Sequence, residues 1–251
     1  MHPTFHVLGT DLPAYGLLCG LGVLLALAVS LVRVRKSGLR ADAAFVVFTG
    51  ALAFGILGAL VFYGVITYGA SGLLPMFAGK KPMGFVFYGG LISGMIAALA
   101  LMRILRLPFE AYAREMLPAL PLAHAVGRIG CFFAGCCYGR ETDLFFGVRY
   151  PADHITGGAR LIPVPLIEAA CLFAIFFALC SLPRRRNLST IRLYVFLYAP
   201  VRFFLEFLRG DEIRGIFLGL STSQWISAAL FAGIFLIGKN RAVLRLRRMR
   251  H

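Results

Sequence analysis

Charge is scarce in this chain, and acidic charge is scarcest. Of 251 residues only 15% are charged and only 11 are Asp or Glu. A soluble domain needs a charged, polar skin, yet here 59% of residues are hydrophobic and the mean hydropathy is +0.81. That excludes an ordinary soluble protein and points to an integral membrane protein of the all-α, polytopic class. Few acids leave a net charge of +15, which in a soluble chain would suggest nucleic acid. The basic residues fall instead in short runs between apolar segments, where they act as orientation signals and contacts for anionic lipids, so nucleic acid is not an expected partner. A basic stretch ahead of the first apolar run is missing, as is a small-residue cleavage site behind it. Pro3, Asp11 and Pro13 come first, so that run reads as a retained span and not as a signal peptide. Low-complexity linkers, internal repeats and a soluble domain are also lacking.

What is present in quantity is apolar sequence. Seven segments, at about 14–32, 43–66, 84–102, 117–136, 164–182, 191–209 and 221–238, are each long enough to cross about 30 Å of hydrocarbon as a helix. The fourth and sixth hold charge. Loop charge decides the orientation: seventeen basic residues follow the first, third, fifth and seventh segments, against six in the opposite loops. The expectation is about seven transmembrane helices, amino terminus outside and carboxyl terminus in the cytoplasm. The chain reads as a single membrane domain over 1–251, with 138–162 as an outer loop subdomain suited to an exposed unit or a gate. Glycines crowd the second span (Gly50, Gly55, Gly58, Gly64) and the third (Gly84, Gly89, Gly90, Gly94). They predict a close helix contact, or a break that exposes backbone amides.

The stretch Pro121–Gly139 is apolar enough for a membrane but carries His124, Arg128 and three of the six cysteines. An arginine at bilayer depth costs a few kcal/mol on insertion scales, and such residues mark function. No acid lies three or four residues from Arg128, so its neutraliser comes from another helix or from a ligand. Glu168 is one candidate, and a lipid phosphate, which a guanidinium matches in bidentate fashion, is the other. Arg202 and Glu206, four apart in the sixth segment, share a helix face and can pair, with Arg209 three further on the same face. Ion pairing that only orders the bundle is the plain alternative for these residues, and a hydrogen-bonded core histidine is the plain alternative for His124.

Cys19, Cys171 and Cys180 stand singly in apolar runs, where small buried hydrophobes are expected. Cys131, Cys136 and Cys137 admit a metal site, a disulfide, a thiol nucleophile or simple packing. Adjacent cysteines without a Cys-x2-Cys or histidine pair are weak as zinc ligands, and no metal or other cofactor is expected.

Several motifs together resemble the prolipoprotein diacylglyceryl transferase family. They are Gly127-Arg-Ile-Gly130 with Phe132, Gly135 and Gly139; Gly89-Gly-Leu-Ile-x-Gly94; and Arg202-x3-Glu206-x2-Arg209. Tyr15-Gly-Leu, Pro163-Val-Pro-Leu-Ile-Glu168 and Leu220-Ser-x2-Gln224 add lesser matches, all in the family's order and over most of the chain. The resemblance implies a bacterial cytoplasmic-membrane transferase. It would move a diacylglyceryl group from phosphatidylglycerol to the lipobox cysteine of a prolipoprotein, releasing glycerol phosphate. It implies Arg128 and Arg202 as the phosphate-handling pair, with Tyr88 at the family's catalytic-histidine position; His124, one turn before Arg128, joins the catalytic set as this chain's own candidate and not through the resemblance. Tyr15, Gly89, Gly90, Gly139, Glu206 and Arg209 would support the substrates.

Three departures keep the acceptor open. The family's pattern has histidine where Tyr88 stands, asparagine at Cys131 and glutamate at Cys136. Tyrosine, ionising near ~10, is a poor base at neutral pH, so His124 is the candidate replacement. Two further readings remain: a non-catalytic lipid or anion carrier on the same scaffold, and a thiol-redox or metal protein built on the three cysteines.

Overall fold

The computed structural model describes residues 4–7, 10–151, 154–181, 189–210 and 216–234. Asp153, Arg184, Arg185, Arg186, Asp211, Arg214 and the basic run from Lys239 lie outside the described residues. The helices are α1 (Ala14–Lys36), α2 (Ala41–Tyr68), α3 (Leu73–Phe77), α4 (Phe87–Ile104), α5 (Phe109–Met116), α6 (Ala119–Phe133), α7 (Val164–Ser181) and α8 (Thr190–Leu205). Residues 222–234 are also helical. Short antiparallel hairpins pair β1 (Thr4–Val7) with β2 (Thr10–Pro13), β3 (Val148–Arg149) with β4 (Arg160–Leu161), and β5 (Ile216–Phe217) with β6 (Leu220–Ser221).

Five stretches are long and apolar enough to cross a bilayer: Ala14–Lys36, Ala41–Tyr68, Phe87–Ile104, Phe109–Phe133 and Val164–Ser181. They correspond to the first five expected segments, so the protein is a mostly helical membrane protein. The fourth is divided into α5 and α6 at Leu117-Pro118, because a proline has no amide to donate and its ring blocks the preceding turn. The sixth expected segment, 191–209, is shorter in the structure. α8 has 16 residues, after which Glu206–Leu208 tighten into a 3-10 turn and Arg209 is extended (φ −76°, ψ 142°). Of the seventh segment, residues 235–238 lie outside the described residues.

The chain forms two compact units, residues 29–116 and residues 1–28 with 117–251. In the first, α2 and α4 meet along a seam of small residues. A Cβ on Gly90 would sit 3.0 Å from the Gly55 carbonyl oxygen, and one on Gly94 would sit 2.9 Å from that of Ala51. Of the two sequence expectations for these glycines, the close helix contact is the one realised, as suits lipid, where van der Waals contact replaces hydrophobic drive. At one end of the unit Val34, Ala43, Ala44, Val47, Met102 and Tyr112 form a core. Beside it Arg33 Nη2 lies 3.2 Å from the buried Glu115 carboxylate.

In the second unit, α1 lies directly on α6. Gly130 faces the Cα of Tyr15, where an added Cβ would come to 3.3 Å, and a Cβ added at Gly22 would lie 2.9 Å from the Ala123 carbonyl oxygen. The opposite side of α6 packs on α7 through Ala125, Ala169 and Leu172, with Tyr198 of α8 closing the cluster. The loop after α6 folds into the β3–β4 hairpin, joined by bridges from Glu141 to Leu161 and from Gly139 to Arg209.

Candidate active site

His124 and Arg128 stand one turn apart on α6, so they share a face. That face meets α7 where its second turn presents Glu168, which is fully buried. Arg128 Nε lies 3.0 Å from Glu168 Oε2. The Tyr198 hydroxyl donates to Glu168 Oε1 at 3.0 Å, and His124 Nε2 is 3.8 Å from the same oxygen. The His124 ring meets Tyr198 edge-on at 5.6 Å between centroids, and Tyr198 stacks on Tyr194 at 5.7 Å. A buried carboxylate is tolerable only when paired and hydrogen-bonded; here three side chains from two other helices converge on it. Of the two neutralisers considered for Arg128, the structure supplies Glu168.

Arg202 sits in the last turn of α8, with Nη1 2.7 Å from Glu206 Oε2. Its Nη2 donates to Ser223 Oγ at 3.1 Å. Ser223 is held by a reciprocal cap on the following helix. The Ser221 amide donates to Gln224 Oε1 at 2.9 Å, and the Gln224 amide donates to Ser221 Oγ at 3.3 Å. The Ser-x2-Gln motif is thus the device that presents Ser223 to Arg202. Arg202 lies within electrostatic reach of His124 and Tyr198.

Arg209 departs from the helix face expected of it. The 3-10 turn takes the chain off the α8 axis, and Arg209 pairs with Gly139 in an antiparallel bridge. On either side the Arg140 amide donates to the Leu208 carbonyl at 3.0 Å and the Gly210 amide to that of Tyr138 at 3.2 Å. Gly139 has no room for a side chain: a Cβ would lie 2.7 Å from the Ile162 oxygen and 2.8 Å from the Leu208 oxygen. Arg209 is 6% exposed and lies beside Cys137.

The helix end explains how the three cysteines meet. Gly135, at φ +72°, closes α6 with a Schellman motif: its amide donates to the Phe132 carbonyl, and the Cys136 amide reaches back to that of Cys131 at 3.1 Å. Cys137 also adopts a left-handed φ, of 60°. The chain therefore doubles back, and the Sγ atoms of Cys131, Cys136 and Cys137 lie within 4.8 Å of one another. Arg128 Nη1 points at Cys137 Sγ from 3.7 Å. Hydrogen bonds from the Cys131 and Cys136 thiols, with the Arg209 guanidinium alongside, hold the Cys137 thiol below its ordinary range. Just beyond, burial pushes the Tyr150 phenol up to about 12. His154 is braced by hydrogen bonds at both ring nitrogens, Nε2 to the Gly135 carbonyl at 2.7 Å and Nδ1 with Thr156 Oγ1 at 2.8 Å.

The structure places Tyr15 in the first turn of α1, half-exposed and against Gly130. Tyr15, His124, Arg128, Gly139, Arg202, Glu206 and Arg209 all belong to the unit that contains α6. Tyr88, Gly89 and Gly90 belong to the other unit, in the first turn of α4. Tyr88 is 49% exposed, and Gly89 and Gly90 are held against α2. Tyr198 and Ser223 were not singled out from sequence. Tyr198 had a usable signal, being four residues before Arg202 on the same helix face.

A model of a family described as prolipoprotein diacylglyceryl transferase matches residues 3–238. The "Phosphatidylglycerol--prolipoprotein diacylglyceryl transferase 2" of Clostridium perfringens (strain 13 / Type A) is 32% identical over 241 residues, covering 94% of each chain. The transferase of Clostridium tetani (strain Massachusetts / E88) is also 32% identical, over 94% of this chain and 96% of its own. That of Geobacter sulfurreducens is 31% identical over 98% of this chain and 96% of its own.

Proposed function

Because the chain belongs to the prolipoprotein diacylglyceryl transferase family, we propose that it moves a diacylglyceryl group from phosphatidylglycerol to the lipobox cysteine thiol of a prolipoprotein. A C–S thioether bond forms, the C–O bond to phosphate breaks, and glycerol phosphate leaves. The thiol proton passes to a base and the phosphate gains negative charge, so the site must do two things: take a proton, and stabilise an oxyanion.

Arg128 and Arg202 serve the second need. Each guanidinium is gripped on one side by a carboxylate, Glu168 or Glu206, which fixes the orientation of the planar fork before lipid arrives. His124, which lies 3.8 Å from Glu168 and against Tyr198, is the base. Arg209, tied to Gly139, adds positive charge next to the same site. The resemblance also assigns Tyr15 and, in the other unit, Tyr88, Gly89 and Gly90 to the support of the substrates. Seven spans, an outside amino terminus and the bacterial cytoplasmic membrane complete the reading, with the basic inner loops resting on anionic lipid and no role for nucleic acid. The observation that carries it is the Arg128–Glu168 pair: an intramembrane cation set in place by a buried acid.

Purified protein is incubated with labelled phosphatidylglycerol, with and without a lipobox peptide. Glycerol phosphate release that depends on the peptide is expected, and Arg128→Ala and Arg202→Ala should each abolish it while still inserting. Release that ignores the peptide assigns another acceptor. Full activity in both variants would sink the phosphate-handling roles.

A further inference from the structure

We propose that Cys131, Cys136 and Cys137 form a three-thiolate site for a soft, closed-shell metal ion such as Zn(II), Cd(II) or Cu(I). We further propose that an ion seated there engages Arg128 and Arg209 and so weakens binding of the lipid donor. This second half rests on the phosphate-handling role of Arg128; the metal site itself does not.

The geometry comes from the helix cap. Three Sγ atoms within 4.8 Å of one another are close to the S···S spacing of about 4 Å that three bonds of about 2.3 Å to one ion require. Small side-chain rotations close the difference. Among the described residues this is the one cluster of three or more Cys, His or acidic residues with such spacing. All three donors are sulfur, which selects soft ions over Mg(II) or Ca(II). His154 does not supply a fourth ligand, since both its ring nitrogens are already engaged by Gly135 and Thr156. A fourth position is therefore left to solvent, on the side of the exposed Cys136.

Charge and hydrogen bonding fit the occupied state. Three thiolates around a divalent ion carry one net negative charge, and around a monovalent ion two. Arg128 Nη1 stands 3.7 Å from Cys137 Sγ, and Arg209 lies beside the same residue. The hydroxyl of Tyr150, which is 1% exposed, has no hydrogen-bond partner among the described residues and lies within electrostatic reach of Cys136 and Cys137. A metal-bound thiolate gives it an acceptor, as the outer shell of metal sites ordinarily does. Because the same guanidinium nitrogens would answer either a metal thiolate or a lipid phosphate, occupancy by one opposes the other.

The test uses the purified full chain in detergent, reduced and then freed of reductant, titrated with Cd(II). Expected are saturation at one equivalent, an ultraviolet thiolate-to-cadmium charge-transfer band, and protection of all three cysteines from alkylation in mass mapping. The band should be lost in the Cys131→Ser/Cys136→Ser/Cys137→Ser variant. Cys136→Ser, at an exposed position, keeps the fold by its thermal midpoint and should weaken binding tenfold or more. Equilibrium binding of labelled phosphatidylglycerol should fall several-fold on loading the wild type, and not change in Cys136→Ser at the same Cd(II) concentration. Absence of saturable binding, an undiminished band in the triple variant, or a disulfide joining two of the three thiols before reduction overturns the site. Stoichiometric metal binding with unchanged lipid affinity overturns the coupling. Neither readout requires turnover, so failure of the transferase reading would be seen separately.

Discussion

The Glu168 carboxylate, wholly removed from solvent on α7, lies 3.0 Å from the Nε of Arg128 on α6. Removing one member of such a buried pair leaves the other charge without compensation. Glu168→Ala is expected to destabilise the protein by about 3–5 kcal/mol, read as a fall in the thermal unfolding midpoint in detergent. Tyr198→Phe removes one hydrogen bond to the same carboxylate and should cost about 1.5–3 kcal/mol.

Lysine keeps the charge of arginine but lacks the planar fork. If Arg128 and Arg202 hold phosphate, Arg128→Lys and Arg202→Lys should each insert normally. Each should lose about 10–100-fold in kcat/KM for phosphatidylglycerol, equivalent to one lost charge-assisted hydrogen bond of about 1.5–3 kcal/mol. Rates near wild type in both variants would leave only their charge as relevant.

At Gly139 a methyl group would press on two carbonyl oxygens, those of Ile162 and Leu208, both fixed by backbone hydrogen bonding. Gly139→Ala should cost about 1–3 kcal/mol through overpacking and lower turnover by displacing Arg209. A crosslinking or spectroscopic probe at Arg140 should register the shift.

Tyr150 gives a pH signature. Burial raises its phenol to about 12 from the ordinary value near ~10. The neutral form is favoured in the fold, so its contribution is complete below ~10 and is lost as pH rises through about 12. Stability of the wild type should fall in that interval, and Tyr150→Phe should show a flatter alkaline limb. At neutral pH the same change should be close to neutral, since the hydroxyl has no partner to lose.

Tyr88 stands half-exposed in the first turn of α4, with its ring against Phe87. Tyr88→His should therefore fold and insert as the wild type does and retain transferase activity. A collapse of expression or monodispersity would assign the tyrosine a structural duty instead.

The first five spans were legible from apolar length, with loop charge deciding for the charged fourth, and the partner of Arg128 was narrowed to Glu168 or a lipid phosphate because its own helix offers no acid; the structure shows Glu168. The small-residue seam of α2 and α4 was legible as glycine spacing. Other features depend on where a helix stops. Arg209, three residues after Glu206, has helical spacing on paper; one 3-10 turn sends it to Gly139 instead. The approach of Cys131 to Cys136 and Cys137 depends on Gly135 taking a left-handed φ at the helix end, and sequence offers several glycines there without distinguishing them. Two-residue strands such as Val148–Arg149 are too short to carry an alternating pattern.

The left-handed backbone of Cys137 has one more implication. For an L-residue that conformation costs about 1–2 kcal/mol, and only glycine, or at times asparagine, adopts it freely. The fold by itself would thus be better served by glycine at position 137. Cys137→Gly should relieve that cost, read as a rise in the thermal unfolding midpoint, and at the same time remove one of the three thiols.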